Sequence, residues 1–231
     1  MSFFEPPSLP ERPEQPLEIP EPEPWFGAPH NELGAPVPLR VVLARTDQIA
    51  VAVVGVTAYT AGLSLTLAVR WRRVSGDEDI YREQEFPFDF RARWRPGELP
   101  PELLRFGVQF SDGRKATSVG GGTPFGDGIG QRPTRPILSE SGGGGSEGEW
   151  DQDYWLWPLP PPGALTFAVE WPSKGLELTM HEVDAGPILE AAELSEPLWP
   201  ESGADLGMSV SGSVVIGGSR VVSDEEHTEE S

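Results

Sequence analysis

The most unusual stretch of the chain runs from Glu147 to Trp157 and reads Glu-Gly-Glu-Trp-Asp-Gln-Asp-Tyr-Trp-Leu-Trp. In an extended strand, side chains alternate between faces, so Glu147, Glu149, Asp151, Asp153, Trp155 and Trp157 share one face, and Trp150, Gln152, Tyr154 and Leu156 the other. A carboxylate row ending in indoles could bind a hard cation, which needs several oxygens. It could also offer a sugar or a cation a flat aromatic platform. The plainer reading is preferred: the acids are solvated at the end of a loop and the indoles lie in a core. For general acid–base work the chain offers His30, His181 and His227. His30 sits beside a proline-rich arm and His227 in an acidic tail, which leaves His181, next to Glu182 and Asp184, as the one candidate in the expected body. No nucleophile or metal partner for it is evident, so a solvated histidine at a strand end is expected.

Arg70, Arg72, Arg73, Arg82, Arg91, Arg93 and Arg95 gather around Trp71 and Trp94, a mixture of cations and aromatics used on nucleic acid. Asp77, Glu78, Asp79, Glu83, Glu85 and Asp89 interleave with them, and the net charge of −20 repels polyanions. Arg91, Arg93 and Arg95 are therefore read as a charge cluster neutralised by the chain's own carboxylates, with no nucleic-acid partner. Gly143 to Gly148 satisfies G-x-G-x-x-G, but Glu149, Asp151 and Asp153 follow where phosphate would need free N–H groups. The P-loop, the G-x-S-x-G elbow, the H-E-x-x-H pair and the EF-hand loop are absent. With no cysteine, thiolate metal sites, disulfides and cysteine nucleophiles are excluded. No catalytic residue, cofactor or metal is assigned.

The elements that must hold these residues are strands. Val37, Leu39, Val41 and Leu43 alternate with polar or small residues; Gln48 to Tyr59 is apolar on both parities, with Val54 and Val56 opposite Val51 and Val53; and Leu65, Leu67, Val69 and Trp71 share a face. Three such runs in succession predict an antiparallel meander. The apolar stretch Ile49 to Val69 is interrupted by Thr57, Tyr59, Thr60, Gly62, Ser64 and Thr66, which suits two strands around a turn rather than a membrane span. Ser111-Asp112-Gly113 between two strand runs predicts a hairpin. Leu165 to Trp171 repeats Leu65 to Trp71 at five of seven positions, which marks both as core strands. Asp184 is placed to cap a short helix from Gly186 to Ser195, with Ile188, Ala191, Ala192 and Leu194 packing inward.

Gly and Pro crowd into residues 1–38 and 120–148, which hold 27 of the 53. This predicts three regions: a Pro/Glu-rich extended or disordered arm over 1–35, a body over 36–200 with a flexible Gly-rich loop at 120–148, and a low-complexity acidic tail over 201–231. The arm contains two P-x-x-P matches, Pro7 to Pro10 and Pro10 to Pro13, and is read as a solvated spacer. The expected fold is all-β, an antiparallel sandwich, immunoglobulin-like or similar, with one short helix and disordered acidic tails.

Four runs carry a resemblance: Pro24-Trp25-Phe26-Gly27, Val42-Leu43-Ala44-Arg45-Thr46, Trp155-Leu156-Trp157-Pro158-Leu159-Pro160-Pro161-Pro162-Gly163 and Glu170-Trp171-Pro172. Over about residues 25–200 the chain resembles an uncharacterised protein family of high-GC bacteria, which implies a bacterial source and no particular activity. The N-terminus lacks the basic start and apolar stretch of a signal peptide, so a cytoplasmic location without membrane association is expected. The function expected is a non-catalytic, soluble protein-interaction or accessory module docking an unidentified protein, as a subunit of a larger assembly. The alternative is a carbohydrate-binding protein or hydrolase using His181 and the Asp151/Asp153/Trp155/Trp157 face. A deep pocket joining those groups would favour the alternative, and a flat apolar patch or open sheet edge the first reading.

Overall fold

The computed structural model describes residues 22–72, 99–119, 131–146 and 148–199. The first 21 residues of the arm, the cluster Arg91, Arg93 and Arg95, and the tail from 200 onward lie outside the described residues. In chain order the strands are β1 (Glu32–Leu33), β2 (Ala35–Pro36), β3 (Val41–Arg45), β4 (Ile49–Ala58), β5 (Leu63–Trp71), β6 (Arg105–Gln109), β7 (Lys115–Thr117), β8 (Ile137–Ser146), β9 (Glu149–Trp157), β10 (Ala164–Trp171), β11 (Leu176–Asp184) and β12 (Glu196–Pro197), with one helix, α1 (Gly186–Glu193). Ten of these form two antiparallel sheets. In the first, β4, β5, β9 and β8 lie side by side, and β2 and β3 both pair with the free edge of β4. The second runs β11-β10-β6-β7, while β1 and β12 pair only with each other. The fold is an all-β antiparallel sandwich.

Alternation explains the sheets. Leu65, Leu67 and Val69 on β5 and Leu165, Phe167, Val169 and Trp171 on β10 are buried in one continuous core, with Trp71 packed against it. The two echoing heptapeptides are thus interior strands of opposite sheets, and their terminal indoles meet edge to face, 6.3 Å apart at 82°. The hairpin at Ser111-Asp112-Gly113 closes as expected: Phe110 N–H bonds to the Arg114 carbonyl at 2.9 Å, and Gly113 takes a φ of +86°, which a side chain would resist. Asp112 accepts the Arg114 backbone N–H, which with the Arg114 guanidinium holds its carboxyl below the usual range.

Simple alternation fails at the bulges. Opposite β5, Val53 pairs with Leu67 and Gly55 with Thr66, so Val54 is an extra residue in β4. Strict parity puts Val56 on the outer face; the bulge turns Val56 and Ala58 into the core and leaves Val54 exposed. On β11, Leu176 pairs with Trp171 but Thr179 with Val169, which turns Thr179, His181 and Val183 to the core side.

Three expectations are corrected. The Gly-rich segment is not loop throughout: residues 137–146 are β8, paired along the length of β9. Four glycines supply no pattern of their own. They fit because β9 fills the space: a Cβ on Gly143 would lie 2.8 Å from Gln152 Oε1, and one on Gly145 would overlap the Glu149 carbonyl and Trp150. The Gln152 amide, buried on the inner face, donates to the Gly142 carbonyl and locks the pairing. The arm is also shorter than 1–35, because residues 22–36 contain a turn with a buried Trp25 followed by β1 and β2. Finally, α1 buries Ile188, Ala191 and Ala192 as expected and begins beside Asp184, whose Oδ1 accepts Gly186 N–H at 3.0 Å, but Leu194 falls past its last turn and is 72% exposed.

Candidate functional site

The alternation expected along β9 holds: Tyr154 and Leu156 are buried in the inter-sheet core, and Asp151, Asp153, Trp155 and Trp157 share the outer face of the first sheet. The acids are tied to the neighbouring strand. Arg70 on β5 donates from Nη1 to Asp151 Oδ1 at 2.6 Å and to the carbonyls of Val69 and Trp150, with Glu149 3.8 Å from its Nε. The hydrogen bond to Asp151 and the charges of Asp151 and Glu149 raise the Arg70 pKa, against desolvation. Asp153 Oδ1 accepts the Thr66 hydroxyl at 2.7 Å. Such partly exposed pairs contribute about 0–1 kcal/mol each, so they align β5 with β9 more than they stabilise it. Among the described residues no three metal-ligating side chains converge.

The indoles on this face are covered. Trp155 and Trp157 are 1% and 5% exposed, packed with Ile137 and with Trp25, whose segment folds over them. Trp155 Nε1–H donates to the Pro24 carbonyl at 3.0 Å, and Trp25 meets Trp157 edge to face at 5.8 Å. This second apolar cluster unites the tryptophans of two runs that carry the family resemblance. Among the described residues of this face, no open aromatic platform remains for a sugar.

His181 lies elsewhere, on β11 of the other sheet. Residue Leu43 is the extra residue of a bulge in β3, between the Val42 and Ala44 pairings, and its carbonyl is turned from the β4 ladder toward β11. There it accepts the Thr179 hydroxyl at 2.8 Å, and His181 Nε2 stands 2.7 Å away. A carbonyl can only accept, so Nε2 carries a proton. His181 is thus a fastener between the edges of the two sheets, and the structure separates it from Asp151, Asp153, Trp155 and Trp157.

Two adjoining clefts, of about 620 and 540 Å³, flank the folded-over segment, with Glu23, Pro24, Thr60 and Ala61 common to both. The larger is walled by Trp25, Trp157, Pro158 and Leu159, and the guanidinium of Arg132 stands over the Trp157 ring at 5.4 Å from its centroid. Arg132 makes no ion pair with any described residue. The smaller cleft is rimmed by Glu32, whose carboxylate accepts the Thr60 N–H and hydroxyl and the Ser195 hydroxyl, joining three separate segments. Arg132 and Trp25 were not among the expected site residues; the one sequence signal is that Trp25 and Trp157 each adjoin a proline and belong to the resembling runs.

The outer face of the second sheet carries a different surface. Across it, Met180 on β11, Ala168 on β10, Gly107 on β6 and Thr117 on β7 stand in register. Met180 and its neighbour Leu178 are 55% and 60% exposed. No helix among the described residues is long and apolar enough to cross a membrane. Comparison with protein-family models, curated proteins and solved structures finds no match to the chain, so the site rests on its geometry alone.

Proposed function

We propose that the protein is a non-catalytic interaction or accessory module of the bacterial cytoplasm, a subunit of a larger assembly that docks a protein partner. The observation that carries this reading is the outer face of the second sheet. Leu178 and Met180 stand exposed there, with Ala168, Gly107 and Thr117 in register beyond Met180. Exposed apolar side chains on an open sheet face, one of them a flexible methionine, suit an adaptable protein contact. The side chains with reactive chemistry support it from the other direction, since His181, Asp151, Asp153 and Trp155 all have partners within the fold. The test is site-specific photocrosslinking in the native cell from position 180 of the full chain. A discrete crosslinked partner, lost when Leu178 is changed to Glu and absent from a control probe at Glu177, is expected. The same crosslinking pattern from both probes would overturn the reading.

A further inference from the structure

We propose that the free edge of β8 receives an extended basic peptide as an added strand, with lysine or arginine at every second position. Among the described residues β8 pairs with β9 alone. The bulge at Ser141 divides it: Ile137 and Leu138 before the bulge are buried, and Gly142 to Ser146 beyond it are all exposed. Alternate residues of an edge strand turn their N–H and C=O groups outward, which is how peptides add to sheets. Lysine and proline commonly guard such an edge, and neither occurs in residues 142–146. By contrast, β2 and β3 cover the opposite edge of this sheet, and the Leu43 carbonyl of β3 holds Thr179 of β11. The site lies on the other sheet from Leu178 and Met180 and does not depend on them.

The open edge makes the site, and the charge beside it selects the occupant. Gly142 and Gly144 stand opposite Asp153 and Asp151, on the outer face. A Cβ on Gly144 would meet nothing within 4 Å, and one on Gly142 would lie 3.5 Å from Asp153 Oδ2. The two glycines thus leave both carboxylates open from the side of β8. Arg70 is shared by Asp151 and Glu149, whereas Asp153 has only the Thr66 hydroxyl, on Oδ1, among the described residues. A strand added to β8 would lie about 10 Å from β9, two inter-strand spacings away. The flexible stem of a lysine crosses the bare glycines and brings its ammonium to the carboxylates. Side chains alternate along a strand, so cations two residues apart meet Asp153 and Asp151. A second copy of this chain is the poorer fit, since it brings the same excess of carboxylates and a net charge of −20.

The test titrates the full chain into a dye-labelled, capped peptide that alternates lysine with valine, read by fluorescence anisotropy. Saturable binding is expected, with slowed hydrogen exchange at the amides of residues 142–146; no saturation, or no slowing there, would overturn the proposal. A chain of net charge −20 attracts any polycation, so variants must separate the edge from bulk charge. Gly144→Lys sets a cation beside Asp151 in open space and should weaken binding about tenfold. Glu177→Gln, an equal change of charge at an exposed position on β11, should leave it unchanged. Asp153→Asn, which keeps an acceptor for the Thr66 hydroxyl, should weaken binding without disturbing the fold. Equal affinities for all three variants would reduce the binding to bulk attraction and overturn the proposal. Methylating every backbone nitrogen of the peptide should also weaken binding about tenfold, and undiminished affinity would show that no strand is added. A chain that is dimeric without peptide, and monomeric as Gly144→Lys, would give the edge to a second copy instead.

Discussion

His181 and Tyr154 show how a side chain with reactive chemistry can be committed to structure. The Leu43 carbonyl is buried and set free from its ladder by a bulge, so each donor it loses counts. His181→Ala is expected to lower stability by about 1 kcal/mol in a denaturant titration, and His181→Gln, which keeps a donor, by less. Tyr154 is buried against Phe106, and its hydroxyl has no partner in hydrogen-bonding geometry. Burial first, then the charge of Glu140, raise its pKa, with the Ser118 hydroxyl opposing. The folded state therefore keeps this proton where an unfolded tyrosine, titrating near pH 10, releases it. Stability is whole below about pH 10 and falls as pH rises beyond it. Tyr154→Phe should move the alkaline unfolding midpoint upward while changing stability at neutral pH by less than about 1 kcal/mol. An unchanged alkaline midpoint would mean that another group governs it.

The glycines of β8 are the sharpest case at the scale of an element. Gly145 has backbone where a Cβ would go, whereas Gly144 has nothing within 4 Å. Gly145→Ala is expected to cost about 1–3 kcal/mol, and Gly144→Ala to be neutral or stabilising by up to about 1 kcal/mol, read from paired thermal melts. Equal effects would imply that this stretch does not pair with β9. Local pattern made β5, β10 and the Asp112–Gly113 turn legible, because period-two burial and turn chemistry are written in neighbouring residues. It could not reveal β8, whose strand character comes from Gln152 and the β9 backbone. Nor could it reveal the bulges at Leu43 and Val54, since one extra residue in a ladder leaves no mark on composition. The shared face of Asp151, Asp153, Trp155 and Trp157 was legible for the same reason as β5. Its cover was not, because the carbonyl that meets Trp155 belongs to a residue 131 positions away.

For the whole molecule, the described body holds two apolar clusters, one between the sheets and one outside the first sheet beneath the Trp25 segment. The second makes the entry segment a part of the fold. Trp25→Ala is expected to cost about 3–5 kcal/mol in equilibrium unfolding, as large aromatic truncations in a core do, and a loss below about 1 kcal/mol would show the segment to be a loose flap. Each cluster also contains a pair of indoles in edge-to-face contact, Trp25 with Trp157 and Trp71 with Trp171. Chromophores this close share their excited states, so each pair should contribute an exciton couplet to the ultraviolet circular dichroism. Removing Trp25 silences one couplet and leaves the other, whose two rings belong to opposite sheets. That surviving signal would be an optical gauge of the distance between the sheets, extinguished when they part even if every strand stays paired within its own sheet.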